Sequence, residues 1–191
     1  MKTDNTAYRS TIRIVLAAAF LLLVPLLAMQ LTDEVVWSLT DFATAGGLLV
    51  GTGLLYQLAA RKAGNLAYRV AAGVALGAAL FLVWANLAVG VIGSEDDPAN
   101  WMYVGVLAVG AIGAMIARLR PQGMARALFA TALAQALVAV IALSFRLGSP
   151  ESGPLELLAG NGLFVALFVG SALLFRHAAR EKAPAGAGLA G

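Results

Sequence analysis

Long apolar segments alternate with short polar ones along the whole chain. Each apolar segment has about 20 residues, which is enough for a helix to cross the roughly 30 Å hydrocarbon core of a membrane. The alternation of apolar and polar residues that marks a membrane strand is not visible in them. Because backbone groups in lipid must pair within their own segment, the pattern predicts six transmembrane helices, which are Ile12 to Leu31, Phe42 to Ala60, Val70 to Ile92, Ala99 to Ala117, Ala127 to Phe145 and Leu155 to Phe175.

The composition agrees with a protein that lies almost entirely in lipid. Of its 191 residues, 61% are hydrophobic and 12% are charged, whereas a soluble domain carries about 25% charged residues. We therefore predict an all-α fold, a polytopic transmembrane bundle of six helices in a single domain over residues 1–180. Residues 181–191 are rich in Ala, Gly and Pro, and we predict that they form a disordered cytoplasmic tail.

Charged residues change sign from one connection to the next. Twelve of the 13 basic residues lie before or at the start of the first predicted helix, in the second and fourth connections, or after the sixth helix. Eight of the 10 acidic residues lie in or beside the other three connections. Basic loops remain in the cytoplasm, so both termini are predicted to be cytoplasmic. The net charge of +3 is explained by this topology, and no nucleic-acid partner is predicted.

Polar residues at membrane depth are the candidates for a functional site. Asp41, Asn86 and Asn161 all fall in the outer half of the predicted bundle, beneath the acidic connections. Together they could line a polar site that attracts a cation or a small solute. Asp41 has a structural alternative as the N-cap of the second helix. Asn86 has one as an interhelical hydrogen-bonding residue, and the same interpretation applies to Gln135 in the fifth helix.

The tripeptide Gly160-Asn161-Gly162 is unfavourable for a helix on both sides of a polar residue. One interpretation is a sixth helix that is broken at a ligand site, as in many transporters. The other is a short interfacial helix from Pro154 to Ala159 that precedes the transmembrane helix. The sequence leaves both open.

The third connection, within VIGSEDDPANWMY, carries the acidic residues Glu95, Asp96 and Asp97. They form a candidate outer acidic loop, but they lack the alternating spacing of a calcium-binding loop. Asp97 followed by Pro98 instead fits an N-cap and first position of the fourth helix. We predict a turn between two helices and no metal site.

Little in the sequence supports catalysis. Cysteine is absent, which excludes disulfides, thiolate metal sites and cysteine nucleophiles. The single histidine, His177, is predicted on the side of the membrane opposite the outer polar residues and provides no base for a serine or threonine there. We predict no catalytic, cofactor-binding or metal-binding residue and do not expect an enzyme.

The segment from Trp84 to Ala127 contains WANLAVGVIGSEDDPANWMYVGVLAVG and, further on, ARLRPQGMARA. It resembles small, uncharacterised proteobacterial polytopic inner-membrane proteins with an IGSED(N/D)PAN-type outer loop. The resemblance covers most of the chain and is most evident in this loop and the fourth helix. It implies a multi-pass protein of the bacterial inner membrane, and it implies no activity.

Two functions fit these observations. The first is an interaction or accessory membrane subunit with a membrane-protein partner or as a homo-oligomer, which small residues at spacing four, such as Gly47 and Gly51 or Gly73 and Gly77, favour. The alternative is a small transporter or channel for a cation or small solute that uses the outer polar residues. The lipid bilayer is a partner in either case.

Overall fold

The computed structural model describes residues 2–94, 96–148 and 153–181, and regular structure within these ranges is helical. Each of the six long helices is long and apolar enough to cross a membrane, which confirms the predicted all-α fold of six transmembrane helices. A 3₁₀ helix, Pro98–Trp101, precedes the fourth of them. The helices are α1 (Lys2–Leu31), α2 (Leu39–Lys62), α3 (Leu66–Ala88), α4 (Met102–Ala117), α5 (Pro121–Ser144) and α6 (Pro154–Glu181).

The chain divides into two compact units, Met1–Arg61 and Lys62–Gly191, and each is described by itself. In the first unit α1 and α2 are antiparallel, because Gly46 of α2 faces Leu22 and Gly53 faces Ile14. A Cβ atom added at Gly53 would lie 2.5 Å from Cγ2 of Ile14, so a larger residue there would displace Ile14. Glycine at this position thus leaves room for the Ile14 side chain against the backbone of α2.

The second unit is built around α5, the helix with the largest buried share of its apolar length. Helix α5 packs between α4 and α6, and α6 also packs against α3. The contact with α4 is close, since a Cβ added at Gly113 would lie 2.6 Å from the Cβ of Ala127. On the other side of α6, the hydroxyl of Ser171 donates a 2.7 Å hydrogen bond to the carbonyl oxygen of Ala71 in α3.

Tyr68 of α3 forms a hydrogen bond with the turn between α4 and α5. Its side chain is fully buried, and its hydroxyl donates a 2.7 Å hydrogen bond to the carbonyl oxygen of Leu119. The ring packs edge-on against Phe175 of α6 with 4.9 Å between ring centroids. Arg118 and Leu119 both have left-handed backbone conformations, with φ of 48° and 59°. The bond from Tyr68 satisfies a carbonyl oxygen of this sharp turn.

Helix α6 runs without interruption through Gly160-Asn161-Gly162. The structure therefore contradicts both interpretations of this tripeptide, the broken transmembrane helix and the separate interfacial helix. The apolar residues on either side stabilise the helix by packing, and this outweighs the low helix propensity of two glycines. The single domain over residues 1–180 stays a prediction. Of the predicted tail, Glu181 ends α6, and residues 182–191 lie outside the described residues.

Candidate functional site

Three polar side chains from three helices meet in the core of the second unit. They are Tyr103 of α4, Gln135 of α5 and Asn161 of α6, and each is at most 2% exposed. The Tyr103 hydroxyl and the Gln135 Nε2 each donate a 3.0 Å hydrogen bond to Oδ1 of Asn161. We call these residues the polar trio. It links α4, α5 and α6 at one point.

Asn161 is held in place by its own helix. Its Nδ2 donates a 2.9 Å hydrogen bond to the carbonyl oxygen of Leu157, one turn earlier. This bond leaves Oδ1 available to the two donors from α4 and α5. A Cβ atom added at Gly160 or Gly162 would meet nothing within 4 Å, so close packing does not require these glycines.

One acceptor of the polar trio has no hydrogen bond within the described residues. It is Oε1 of Gln135, a buried amide oxygen. Leaving such a group unpaired costs about 1 to 3 kcal/mol. The trio consists of a phenol and two amides, and neither ionises near neutral pH. It can therefore exchange hydrogen bonds, but it offers no general base, nucleophile or fixed charge.

Asp41 lies in the first unit, at the start of α2. Its carboxylate accepts 2.7 Å hydrogen bonds from the backbone N–H and the hydroxyl of Ser38, and the Asp41 N–H donates to Ser38 Oγ at 3.3 Å. This reciprocal pair is a capping box in which Ser38 is the N-cap. Trp37 and Phe42 pack edge-on at 5.1 Å between ring centroids and add the hydrophobic staple of the same motif. Asp41 is thus the third residue of the helix, and the predicted N-cap position was wrong by three residues.

Asn86 is half-buried in α3 of the second unit. Its Nδ2 donates a 2.7 Å hydrogen bond to the carbonyl oxygen of Leu82 in the same helix. Its buried Oδ1 has no partner within the described residues. The interhelical bond predicted for Gln135 is confirmed by its bond to Asn161. For Asn86 the described bond is within one helix, and no hydrogen bond among the described residues joins it to Asn161.

The acidic loop before α4 is organised by Asn100, an amide side chain that the sequence did not single out. Asn100 accepts hydrogen bonds from the N–H groups of Val91 and Ile92 at 3.1 and 3.0 Å, and its Nδ2 donates to Ile92 and Ser94 carbonyl oxygens. Asp97 caps the 3₁₀ helix by accepting from the Ala99 N–H at 2.8 Å, as the turn prediction requires.

The two remaining acids of this loop, Glu95 and Asp96, do not form part of a metal site among the described residues. Asp96 is exposed, and Glu95 lies outside the described residues. Within the described part of the chain, no group of three or more His, Asp or Glu side chains could hold a metal ion. In its described part, the loop is a turn held by the hydrogen bonds of Asn100 and Asp97.

Of the predicted polar residues, the structure places Asn161 at the centre of a cluster and joins it to Gln135 and Tyr103. Tyr103 was missed because an aromatic residue in an apolar segment has the same pattern as a core phenylalanine. The available signal was its hydroxyl, since a buried tyrosine in a membrane helix requires a hydrogen-bond partner.

Six helices that are long and apolar enough to cross a membrane define a multi-pass integral membrane protein. Comparison of the chain with family models, with curated proteins and with solved structures found no match.

Proposed function

We propose that this protein is an interaction or accessory subunit in the bacterial inner membrane, with both termini in the cytoplasm. The observation that carries the proposal is the closed core of the second unit. The polar trio is fully buried and uses its hydrogen bonds to join helices. Phe164 and Phe168, one and two turns after Asn161, are also buried. Such packing suits a rigid scaffold better than a path for a solute.

Helix α2 has a face of small residues that a partner could contact. Gly47 and Gly51 are four residues apart and share one side of the helix. A Cβ atom added at either position would meet nothing within 4 Å. Without a hydrophobic driving force in lipid, helices associate where small residues allow their backbones to approach, and this spacing is typical of such contacts. We assign the Gly47–Gly51 face to a transmembrane helix of a partner protein.

The location and orientation rest on sequence. Basic residues gather in four alternate parts of the chain and acidic residues in the other three, which supports cytoplasmic termini. The bacterial inner membrane rests on the resemblance carried by the loop before α4.

The test is crosslinking in native membranes followed by purification in mild detergent. We expect a different membrane protein at fixed stoichiometry with the wild type, and its loss in the variants Gly47→Leu and Gly51→Leu. The matched control is Gly105→Leu, which alters another open glycine in α4. A chain that purifies alone or only with copies of itself contradicts the proposal, as does a partner that both α2 variants retain.

A small transporter for a cation or small solute is the second candidate, because three buried acceptors lack partners within the described residues. They are Oε1 of Gln57 in the first unit, and Oε1 of Gln135 and Oδ1 of Asn86 in the second unit. Amide oxygens suit a hard cation or the N–H and O–H groups of a solute. A ligand would raise the melting temperature of the purified protein. The melting temperature is measured in sodium, potassium or magnesium chloride and compared with that in choline chloride at equal ionic strength. A rise caused by one of these cations should be absent in Gln135→Leu.

A further inference from the structure

Three arginines lie at one end of the packed helix pair α5 and α6. Arg126 belongs to α5, Arg176 and Arg180 belong to α6, and all three side chains are exposed. We call them the arginine cluster. The two helices are antiparallel, because Gln135 meets Asn161 while Phe129, earlier in α5, meets Arg176, later in α6.

One arginine of the cluster lies over an aromatic ring. The guanidinium carbon of Arg176 lies 6.0 Å from the centroid of the Phe129 ring, a cation–π arrangement that restrains this long side chain. Arg126 is three residues before Phe129 and therefore projects from the neighbouring turn of α5. Arg180 is four residues after Arg176 and lies on the same face of α6.

The depth of the cluster matches that of lipid phosphates. The apolar stretch of α5 and its end, from Ala127 to Phe145, is about 28 Å long at 1.5 Å per residue. The stretch of α6 from Leu157 to Phe175 has about the same length. Both are close to the roughly 30 Å thickness of the hydrocarbon core. Arg126 and Arg176, the first residues beyond these stretches at this end, thus lie where hydrocarbon gives way to headgroups.

The positive charge of the cluster is not neutralised by neighbouring acids of the two helices. Helix α5 contains no acidic residue, and the second half of α6 contains only Glu181. Glu181 is already engaged, since Oε2 accepts from Asn65 Nδ2 at 2.5 Å and Oε1 lies 3.2 Å from Nε2 of His177. The arginines therefore keep donors available for an external anion.

We propose that the arginine cluster binds the phosphate of an anionic phospholipid. The planar guanidinium groups of Arg126 and Arg176 match phosphate oxygens through paired hydrogen bonds. Toward the membrane centre, Leu133 lies two turns after Arg126 in α5 and Leu173 lies one turn before Arg176 in α6. Both are exposed and provide an apolar surface for an acyl chain. A zwitterionic lipid fits less well, because its ammonium group would be repelled by the same arginines.

The experiment measures lipid binding to the full-length purified protein in mixed micelles, by the dependence of its melting temperature on lipid concentration. Phosphatidylglycerol is compared with phosphatidylcholine of the same acyl chains. We expect preferential binding of phosphatidylglycerol by the wild type. In the double variant Arg126→Gln/Arg176→Gln the affinity should fall about thirtyfold, since each arginine near a lipid surface contributes roughly 1 kcal/mol.

Two controls isolate charge and position. The variant Arg126→Lys/Arg176→Lys keeps both charges but loses the paired hydrogen bonds, so its affinity for phosphatidylglycerol should lie between that of the wild type and that of Arg126→Gln/Arg176→Gln. Arg146→Gln removes one charge at the opposite end of α5 and should leave binding unchanged. Equal binding of the two lipids by the wild type would overturn the proposal, and this outcome does not depend on the folding of any variant. Equal loss in Arg146→Gln, or equal stabilisation by inorganic phosphate without lipid, would also overturn it.

Discussion

Asn161 accepts hydrogen bonds from α4 and α5 through a single oxygen atom, so its loss affects two neighbouring helices at once. Tyr103 and Gln135 are fully buried and have their described donor bonds to this atom. Each hydrogen bond between membrane helices is worth about 0.6 kcal/mol on average. The penalty for a buried donor left without a partner is larger. Asn161 therefore contributes to stability mainly because its removal would leave the donors of Tyr103 and Gln135 without an acceptor.

Asn161→Leu should lower the free energy of unfolding by about 2 to 6 kcal/mol, because it leaves two buried donors without an acceptor. Gln135→Leu should cost less, since Tyr103 still donates to Asn161 and the unpaired Oε1 of Gln135 is removed. Denaturant unfolding of the purified variants in detergent, followed by circular dichroism, compares the two. A larger loss for Gln135→Leu would contradict the assignment of Asn161 as the shared acceptor.

Asp41 acts locally, through the two donors of Ser38. Asp41→Ala should therefore loosen the first turn of α2, whereas Asp41→Asn keeps an acceptor oxygen and should have a weaker effect. Amide hydrogen exchange at Phe42 and the neighbouring residues should be fastest in Asp41→Ala, intermediate in Asp41→Asn and slowest in the wild type. Asp33→Asn, which changes an exposed acid before the helix, serves as the control. Unchanged exchange in Asp41→Ala would show that the capping box does not stabilise this turn.

At the scale of helices, the close contacts are made by glycines that the spacing rule did not select. Gly47 and Gly51 have the predicted spacing, but a Cβ at either would meet nothing within 4 Å, and the same holds for Gly77. Gly53 and Gly113 make the close approaches instead. Spacing shows that small residues share one face of a helix, but it does not show which neighbour lies opposite that face.

Two glycines of α4 test this distinction within one helix. Gly113→Ala would place a Cβ 2.6 Å from the Cβ and 3.2 Å from the Cα of Ala127, a contact that only backbone movement can relieve. Overpacking of this kind costs about 1 to 3 kcal/mol. Gly105→Ala enters open space and should be neutral or stabilising. Thermal unfolding in detergent measures both, and equal effects would contradict the α4–α5 packing.

At the scale of the whole molecule, the alternation of charge along the chain predicts a definite topology. A reporter fused at Asp97 should lie outside the cytoplasm, and one fused at the C-terminus should lie inside. Paired reporters that are active on opposite sides of the membrane make this measurement. An external signal from the C-terminal fusion would reverse the orientation, although it would leave the six-helix fold unchanged.

The membrane class and the six helices could be predicted from the order of residues alone, because lipid imposes one requirement on every residue of a long apolar segment. The backbone N–H and C=O groups of such a segment must form hydrogen bonds within the segment, and its composition and length identify it directly. Asp97 was likewise predictable, since an N-cap depends on residues adjacent in the chain. The hydrogen bonds that join Tyr103 and Gln135 to Asn161 became evident only from the packed fold. The same is true of the helical conformation of Gly160-Asn161-Gly162 and of the approach of Gly113 to Ala127. These features depend on the rotation and axial position of one helix against another, which are set by the packing of all neighbouring side chains and leave no local pattern in the chain.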